Sequence, residues 1–286
     1  VEGPITQDTI WTLTDSPFVI SKNITIYPAA TLTIEPGVEV KFGGYFTIIV
    51  EGTLNAIGTK NNNITFTSNK DQPKAGDWYT IKFNGTAQST LEYFVLKYAT
   101  NGTTIENSEI EIKNSEISTN SQNGIVALNS KVKVQNSEIH SNLKSGIYLK
   151  GSTQATIQNN TIRANANGIL LTGNSISGVN ITQNTVLSNT ESGINLEANN
   201  YSNVAILYNV LSANNKGFYI SSQANTQITN NSISYNTAGF FYAKGSHTAR
   251  WNDIYGNTLG MDVSTNATIN AEYNYWGDES GPHHTS

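Results

Sequence analysis

The chain has 286 residues, a formal net charge of −5, only 13% charged residues, no cysteine and one methionine. The missing cysteines exclude disulfide frameworks, thiolate metal sites and a cysteine nucleophile, and the acidic balance leaves no basic footprint for a nucleic-acid backbone. Asn, Thr and Ser carry the polarity instead of charge, and no stretch reaches the roughly 18 to 20 apolar residues of a membrane-spanning helix, so neither nucleic acid nor a membrane span is expected.

Residues 1–94 contain alternating segments typical of half-buried strands. They include Ile24/Ile26, Leu32/Ile34, Val38/Val40/Phe42, Phe46/Ile48/Val50, Ile64/Phe66 and Ile81/Phe83, separated by turns such as Glu35-Pro36-Gly37 and Gly43-Gly44. They read as an N-terminal cap and irregular first turns, because a solenoid end must cover apolar core and strand edges. At Val95, with Tyr98 three places on and Gly102 after it, a regular register is expected to begin and to run over residues 95–270.

Its anchors are a branched aliphatic residue followed three places later by Asn: Ile117/Asn120, Ile139/Asn142, Ile162/Asn165, Val186/Asn189, Leu211/Asn214, Ile233/Asn236 and Ile254/Asn257. The steps run from 21 to 25 residues, the period of a solenoid repeat. A glycine then opens each alternating strand, as Gly146 does for Ile147/Leu149 and Gly168 for Ile169/Leu171. Most repeats add a third apolar pair, such as Val132/Val134 or Ala155/Ile157. Three short strands per turn and no segment of helical period predict an all-β fold, a right-handed parallel β-helix forming one continuous domain. The glycines are expected to supply positive φ or close backbone approach at corners. Two polar columns are expected to form ladders: the Asn after each anchor, and Ser115, Ser137, Asn160, Asn184, Asn209, Asn231 and Asn252 two places before it. Residues 271–286 read as an end segment, and the ends at Val1 and Ser286 as those of a piece of a longer surface polypeptide.

Residues 31–42 (TLTIEPGVEVKF), 50–59 (VEGTLNAIGT) and 64–68 (ITFTS) resemble the opening turns of secreted right-handed β-helix repeat proteins of archaea and bacteria. The Asn-x-Ile, Asn and Gly-Ile-x-Leu units resemble repeats of the NosD-like and carbohydrate-binding/sugar-hydrolase group, within the pectate-lyase-like superfamily. Asn274-Tyr275-Trp276-Gly277 with Ser280-Gly281-Pro282 is similar to their closing motif. The resemblance implies the fold for nearly the whole chain. For function it implies a range: polysaccharide lyases, epimerases, hydrolases and adhesive surface proteins.

Lyases and epimerases need a base and a cation that stabilises the resulting anion; glycosidases need two carboxylates facing one sugar. Read down the lattice, the positions beside the anchors place Glu116 and Glu138 one turn apart, with His140 and Arg163 next to them, the leading catalytic candidates. The alternative is ordinary outward charge, which Glu109, Glu111 and Lys113 show nearby. The outward column of the post-glycine strands carries Tyr148, Tyr219 and Phe241, candidates for a carbohydrate- or protein-binding surface. No metal site is assigned, since Asp278, Glu279, His283 and His284 near Trp276 lack ligand spacing and His247, Arg250 and Asp253 form a similarly weak triplet. No cofactor is predicted, with calcium left open. Nine glycosylation sequons occur, at Asn23, Asn63, Asn84, Asn101, Asn159, Asn180, Asn200, Asn230 and Asn266.

The favoured reading is a non-catalytic extracellular or cell-surface wall, a rigid spacer or adhesion module partnered by a polysaccharide or surface protein. The alternatives are a polysaccharide-active enzyme working from Glu116, Glu138, His140 and Arg163, and a viral or phage appendage.

Overall fold

A computed structural model of the protein describes residues 1–85, 88–223, 226–278 and 280–281. Each turn of the chain gives one strand to each of three sheets, here called A, B and C, with 12, 12 and 11 strands among the described residues. Sheet A runs from Gly3–Ile5 to Leu259–Val263, sheet B from Thr9–Trp11 to Ala267–Asn270, and sheet C from Phe18–Ile20 to Asp253–Tyr255. Every strand pairs in parallel with its counterpart one rung away, as Ile139 does with Ile162 and Ile147 with Ile169. The result is a right-handed parallel β-helix of about twelve rungs. Strands from residues 1–94 join the same three sheets.

Alternation fills the interior. Ile117, Ile139, Ile162, Val186, Leu211, Ile233 and Ile254 form one fully buried column facing in from sheet C, and the Ile147 and Ile157 columns face it from sheets A and B. Stacked aromatics thicken this core, with Phe42 and Trp78 centroids 3.9 Å apart near one end and Phe218 and Phe240 4.9 Å apart towards the other. Trp276, from the closing motif, packs against the last rungs beside Gly260.

Both expected ladders are present. In the first, Asn120, Asn142, Asn165, Asn189, Asn214 and Asn236 each donate Nδ2–H to Oδ1 of the Asn one rung on, at 2.8–3.2 Å, ending at Asn257. The second runs through Asn160, Asn184, Asn209, Asn231 and Asn252 at 3.0–3.2 Å and ends on Asn274 of the closing motif. These amides are buried yet paired with neighbouring amides and with backbone carbonyls such as Val134 O, so their burial carries no desolvation penalty of an unmet donor.

One sequence expectation is met in one of its two forms, the close approach of the repeat glycines, and another changes. The repeat glycines do not supply positive φ; that conformation falls to the residue ahead of each ladder position, such as Ser141, Ala164 and Ser188. Gly168 is glycine because a Cβ there would stand 2.4 Å from the carbonyl oxygen of Gly193, closer than atoms approach. The register also starts one residue later than the Val95/Tyr98 reading. Leu96 pairs with Ile117 and is fully buried, while the Ala99 N–H donates to Asn120 Oδ1 at 2.8 Å. Val95 instead faces outward opposite Glu116.

Candidate functional site

Sheet C strands are three residues long in this region, so each presents two outward side chains. Glu116 pairs with Glu138, and His140 with both Ser118 and Arg163, as the column arithmetic expects. The side chains then lean across the rungs into two closed ion-pair groups. Glu116 Oε1 accepts from Lys97 Nζ at 2.8 Å and Ser118 Oγ at 3.0 Å and lies 3.2 Å from His140 Nε2. Arg163 Nε and Nη2 both reach Glu138 Oε1 at 2.7 Å. The hydrogen bond with His140 and the Lys97 ammonium outweigh partial burial and hold the Glu116 carboxyl down at about 2. His140 Nδ1 meets Ser141 Oγ at 3.0 Å, so both ring nitrogens are engaged within the protein. Lys97 belongs to this group and escaped the sequence reading, because the one-residue register error removed it from the column of Ser118, His140 and Arg163.

The outer face of sheet A carries the aromatic column. Paired one to the next are Val126, Tyr148, Leu170, Asn195, Tyr219, Phe241 and Asp262. Tyr219 and Phe241 are half-buried, with nearly parallel rings (5°) and centroids 5.3 Å apart. Lys216 Nζ lies 5.8 and 5.5 Å from those centroids, within cation–π range, and has no ion-pair partner among the described residues. Tyr148 is three rungs away and does not join that pair. Its phenol oxygen accepts from Thr172 Oγ1 at 3.0 Å, and its ring borders a depression of about 500 Å³ shared with Asn123, Lys144, Asn167 and Glu191. Lys144, Asn167 and Glu191 were not singled out from the sequence; Lys144 and Glu191 lie in the turns that enter sheet A, and Asn167 opens the strand Asn167–Thr172, ahead of the Tyr148/Leu170 column.

Of the nine sequon asparagines, Asn101 alone is half-buried; its Oδ1 accepts from the Asn123 backbone and side chain at 3.1 and 3.0 Å. The other eight are exposed. The triplet of His247, Arg250 and Asp253 is dispersed. The His247 ring is buried between Thr226 Oγ1 (2.9 Å) and Lys244 O (2.8 Å), Arg250 pairs with Glu272, and Asp253 is exposed on sheet C. Asp278 bonds Ser280, whereas Glu279, His283 and His284 lie outside the described residues.

Comparisons with known proteins agree on the architecture. The sequence profile of the family described as "Periplasmic copper-binding protein (NosD)" matches residues 18–177 and 84–284, nearly the whole chain between them. The fold is similar to that of the periplasmic alginate epimerase AlgG, with a TM-score of 0.62 at 13% identity over 94% of this chain and 84% of that one. It is equally similar to the A-module of the mannuronan C-5 epimerase AlgE4 of Azotobacter vinelandii, with a TM-score of 0.61 at 13% identity over 99% and 88%. A stretch of 62 residues is 40% identical to the Drosophila melanogaster "Protein bark beetle", spanning 22% of this chain and 2% of that protein. At 13% identity the epimerase likeness is one of fold.

The donors present bear on the copper of the family description. Copper favours Cys, Met and His ligands, and this chain has no Cys and one Met, Met261, which packs against the core. The rings of His140 and His247 are committed on different sheets, and no group of three His, Asp or Glu residues among the described residues is spaced to hold a metal. The described residues therefore do not fit a copper centre. No helix among them is long and apolar enough to cross a membrane. On the profile match across nearly its whole length, together with the β-helix, this chain belongs to the NosD family.

Proposed function

We propose that the protein is a non-catalytic, extracytoplasmic wall that binds an acidic polysaccharide along the outer face of sheet A. The observation carrying this reading is the parallel Tyr219/Phe241 pair with the unpaired Lys216 ammonium beside it. Sugar rings pack on apolar aromatic surface, and an ammonium free of any carboxylate partner can meet a uronate. Lys144, in the depression beside Tyr148, adds a second ammonium without a carboxylate partner among the described residues. The names of the fold relatives, alginate and mannuronan epimerases, point to the same class of polymer. Against catalysis from the Glu116 group stands its closure: a carboxylate held at about 2 is a weak base, both His140 ring nitrogens are engaged, and Arg163 is bound to Glu138.

Affinity titration of alginate, polygalacturonate and neutral glucans on the protein tests the reading. Acidic polymers are expected to bind, with binding lost in the double variant Tyr219→Ala, Phe241→Ala and weakened in Lys216→Gln. Failure of every acidic polymer to bind would sink it.

A second reading, an epimerase or lyase, is favoured by the depression that gathers the Tyr148 phenol, Lys144 and Glu191 on one wall. It requires unsaturated or epimerised sugar among the products, and their loss in Tyr148→Phe. Activity abolished by Glu138→Gln would instead place catalysis on sheet C.

A further inference from the structure

The corner between sheets B and C repeats one backbone feature. The residue ahead of each second-ladder position has φ between 49 and 62°: Tyr93, Asn114, Asn136, Asn159, Gln183, Tyr208, Asn230, Trp251 and Tyr273. Asn enters this left-handed region readily, and five of these positions hold Asn or Gln with the ladder beside them intact or begun. A bulky aromatic there is a conformational outlier, and such outliers concentrate at functional sites. Three of the last four rungs at this corner nevertheless carry one, with Tyr208, Trp251 and Tyr273 exposed by 59, 59 and 62%. Trp251 and Tyr273 lie parallel (8°), centroids 4.7 Å apart.

Across the three-residue width of sheet C, the opposite corner holds Tyr235, 65% exposed and edge-on to Tyr255 at 5.9 Å. The floor between the two corners is Val210, Ser232 and Asp253. Its charge is informative. Arg250, the nearest cation in sequence, lies 5.6 Å from the Tyr273 ring centroid and is neutralised there by Glu272, with Asn270 Oδ1 accepting from its Nε at 2.9 Å. Asp253 is exposed and makes no ion pair among the described residues. Among the described residues the strip thus has an unpaired carboxylate and no cation without an anionic partner, an arrangement that opposes an anionic polymer and accepts hydroxyl donors.

We infer that this aromatic-edged strip of sheet C, over the last four rungs, is a second binding site and takes a neutral polysaccharide lying along the solenoid axis. The rungs repeat at about 4.8 Å, so aromatic edges two rungs apart, roughly 10 Å, can engage alternate sugars of one extended chain. The site is on a different sheet from Tyr219 and Phe241 and selects against the charge they favour.

The test is tryptophan fluorescence titration with the neutral hexasaccharides of β-1,4-glucan, β-1,3-glucan and β-1,4-mannan, with oligoalginate as the acidic comparison. Trp251→Asn installs the residue that other rungs place at this corner, so the variant is expected to melt no lower than the parent. A neutral hexasaccharide is expected to bind the parent, to bind Trp251→Asn and Tyr273→Asn at least tenfold more weakly, and to bind the Tyr219→Ala, Phe241→Ala protein unchanged. Because Trp251 is itself a reporter, calorimetry repeats the comparison. No binding of any neutral hexasaccharide, undiminished binding in Trp251→Asn, or preference for oligoalginate at this strip would overturn the inference. A parent dimer that Trp251→Asn converts to monomer would also overturn it, since the occupant would then be a second copy of the chain.

Discussion

At the scale of single residues, the fold rests on amides that have no freedom to be anything else. Asn189 accepts from the Asn165 side chain at 3.2 Å and backbone at 3.0 Å, and donates to Asn214 at 2.9 Å and to Ile162 O at 3.3 Å. Asn189→Ala strands those partners in a buried column, and each unmet group costs about 1–3 kcal/mol. The variant is expected to unfold at clearly lower temperature or denaturant, whereas Asn180→Ala, at an exposed outward position of the sheet B strand Ser175–Thr182, is expected to change stability little. Equal stability of the Asn189→Ala protein would deny the ladder its role. Glu116 gives a pH signature. Its folded carboxyl sits at about 2 against an ordinary value of 4.5, so its contribution is present above about pH 4.5 and is lost as the pH falls towards 2. Glu116→Gln should melt below the parent at neutral pH, with the gap closing as the pH is lowered through that window. A gap independent of pH would mean that the ion pairs with Lys97 and His140 do not form.

At the scale of the element, the unit is the rung, and a rung begins and ends on equivalent ladder positions. Removing residues 143–165 joins Asn142 to Ala166 in the same context that Asn165 has now, so ladder, glycine and sheet A strand remain in phase. That deletion is expected to keep the β-sheet circular dichroism and a cooperative melt. Removing residues 143–154 alone delivers a sheet B segment where sheet A is due, turns apolar side chains outward, and is expected to aggregate. If both deletions fold equally well, rung phase is not what specifies the structure.

This is also the scale at which the sequence was most informative. Ile139, Ile162 and Val186 with their following Asn residues recur often enough to fix strands, ladders and inward faces, since the period of two in a strand leaves only one consistent register. At Val95 the pattern had no Asn to pin it, because Ala99 stands in the ladder place, and the register slipped by one. Lys97 was lost with it. Which way Glu116, His140 and Arg163 lean is a rotamer choice that columns do not encode. The aromatic corner was legible in principle, one position ahead of the Asn209, Asn252 and Asn274 ladder, but it lies outside the columns flanking each anchor.

At the scale of the molecule, about twelve rungs make a rod whose three sheets offer long faces, with depressions such as the one beside Tyr148. Its repeat Asn residues are largely consumed by the ladders, and the Glu116 and Glu138 ion-pair groups are closed on themselves. Outward aromatic surface on sheets A and C is what the proposed polymer binding rests on. Saturation-transfer difference proton NMR on alginate mixed with the protein addresses binding and chemistry in a single sample. Binding without chemistry predicts transfer from protein to sugar protons that disappears in the Tyr219→Ala, Phe241→Ala variant, with the sugar spectrum unchanged over days. New signals of unsaturated or inverted uronate would contradict it, as would the absence of transfer.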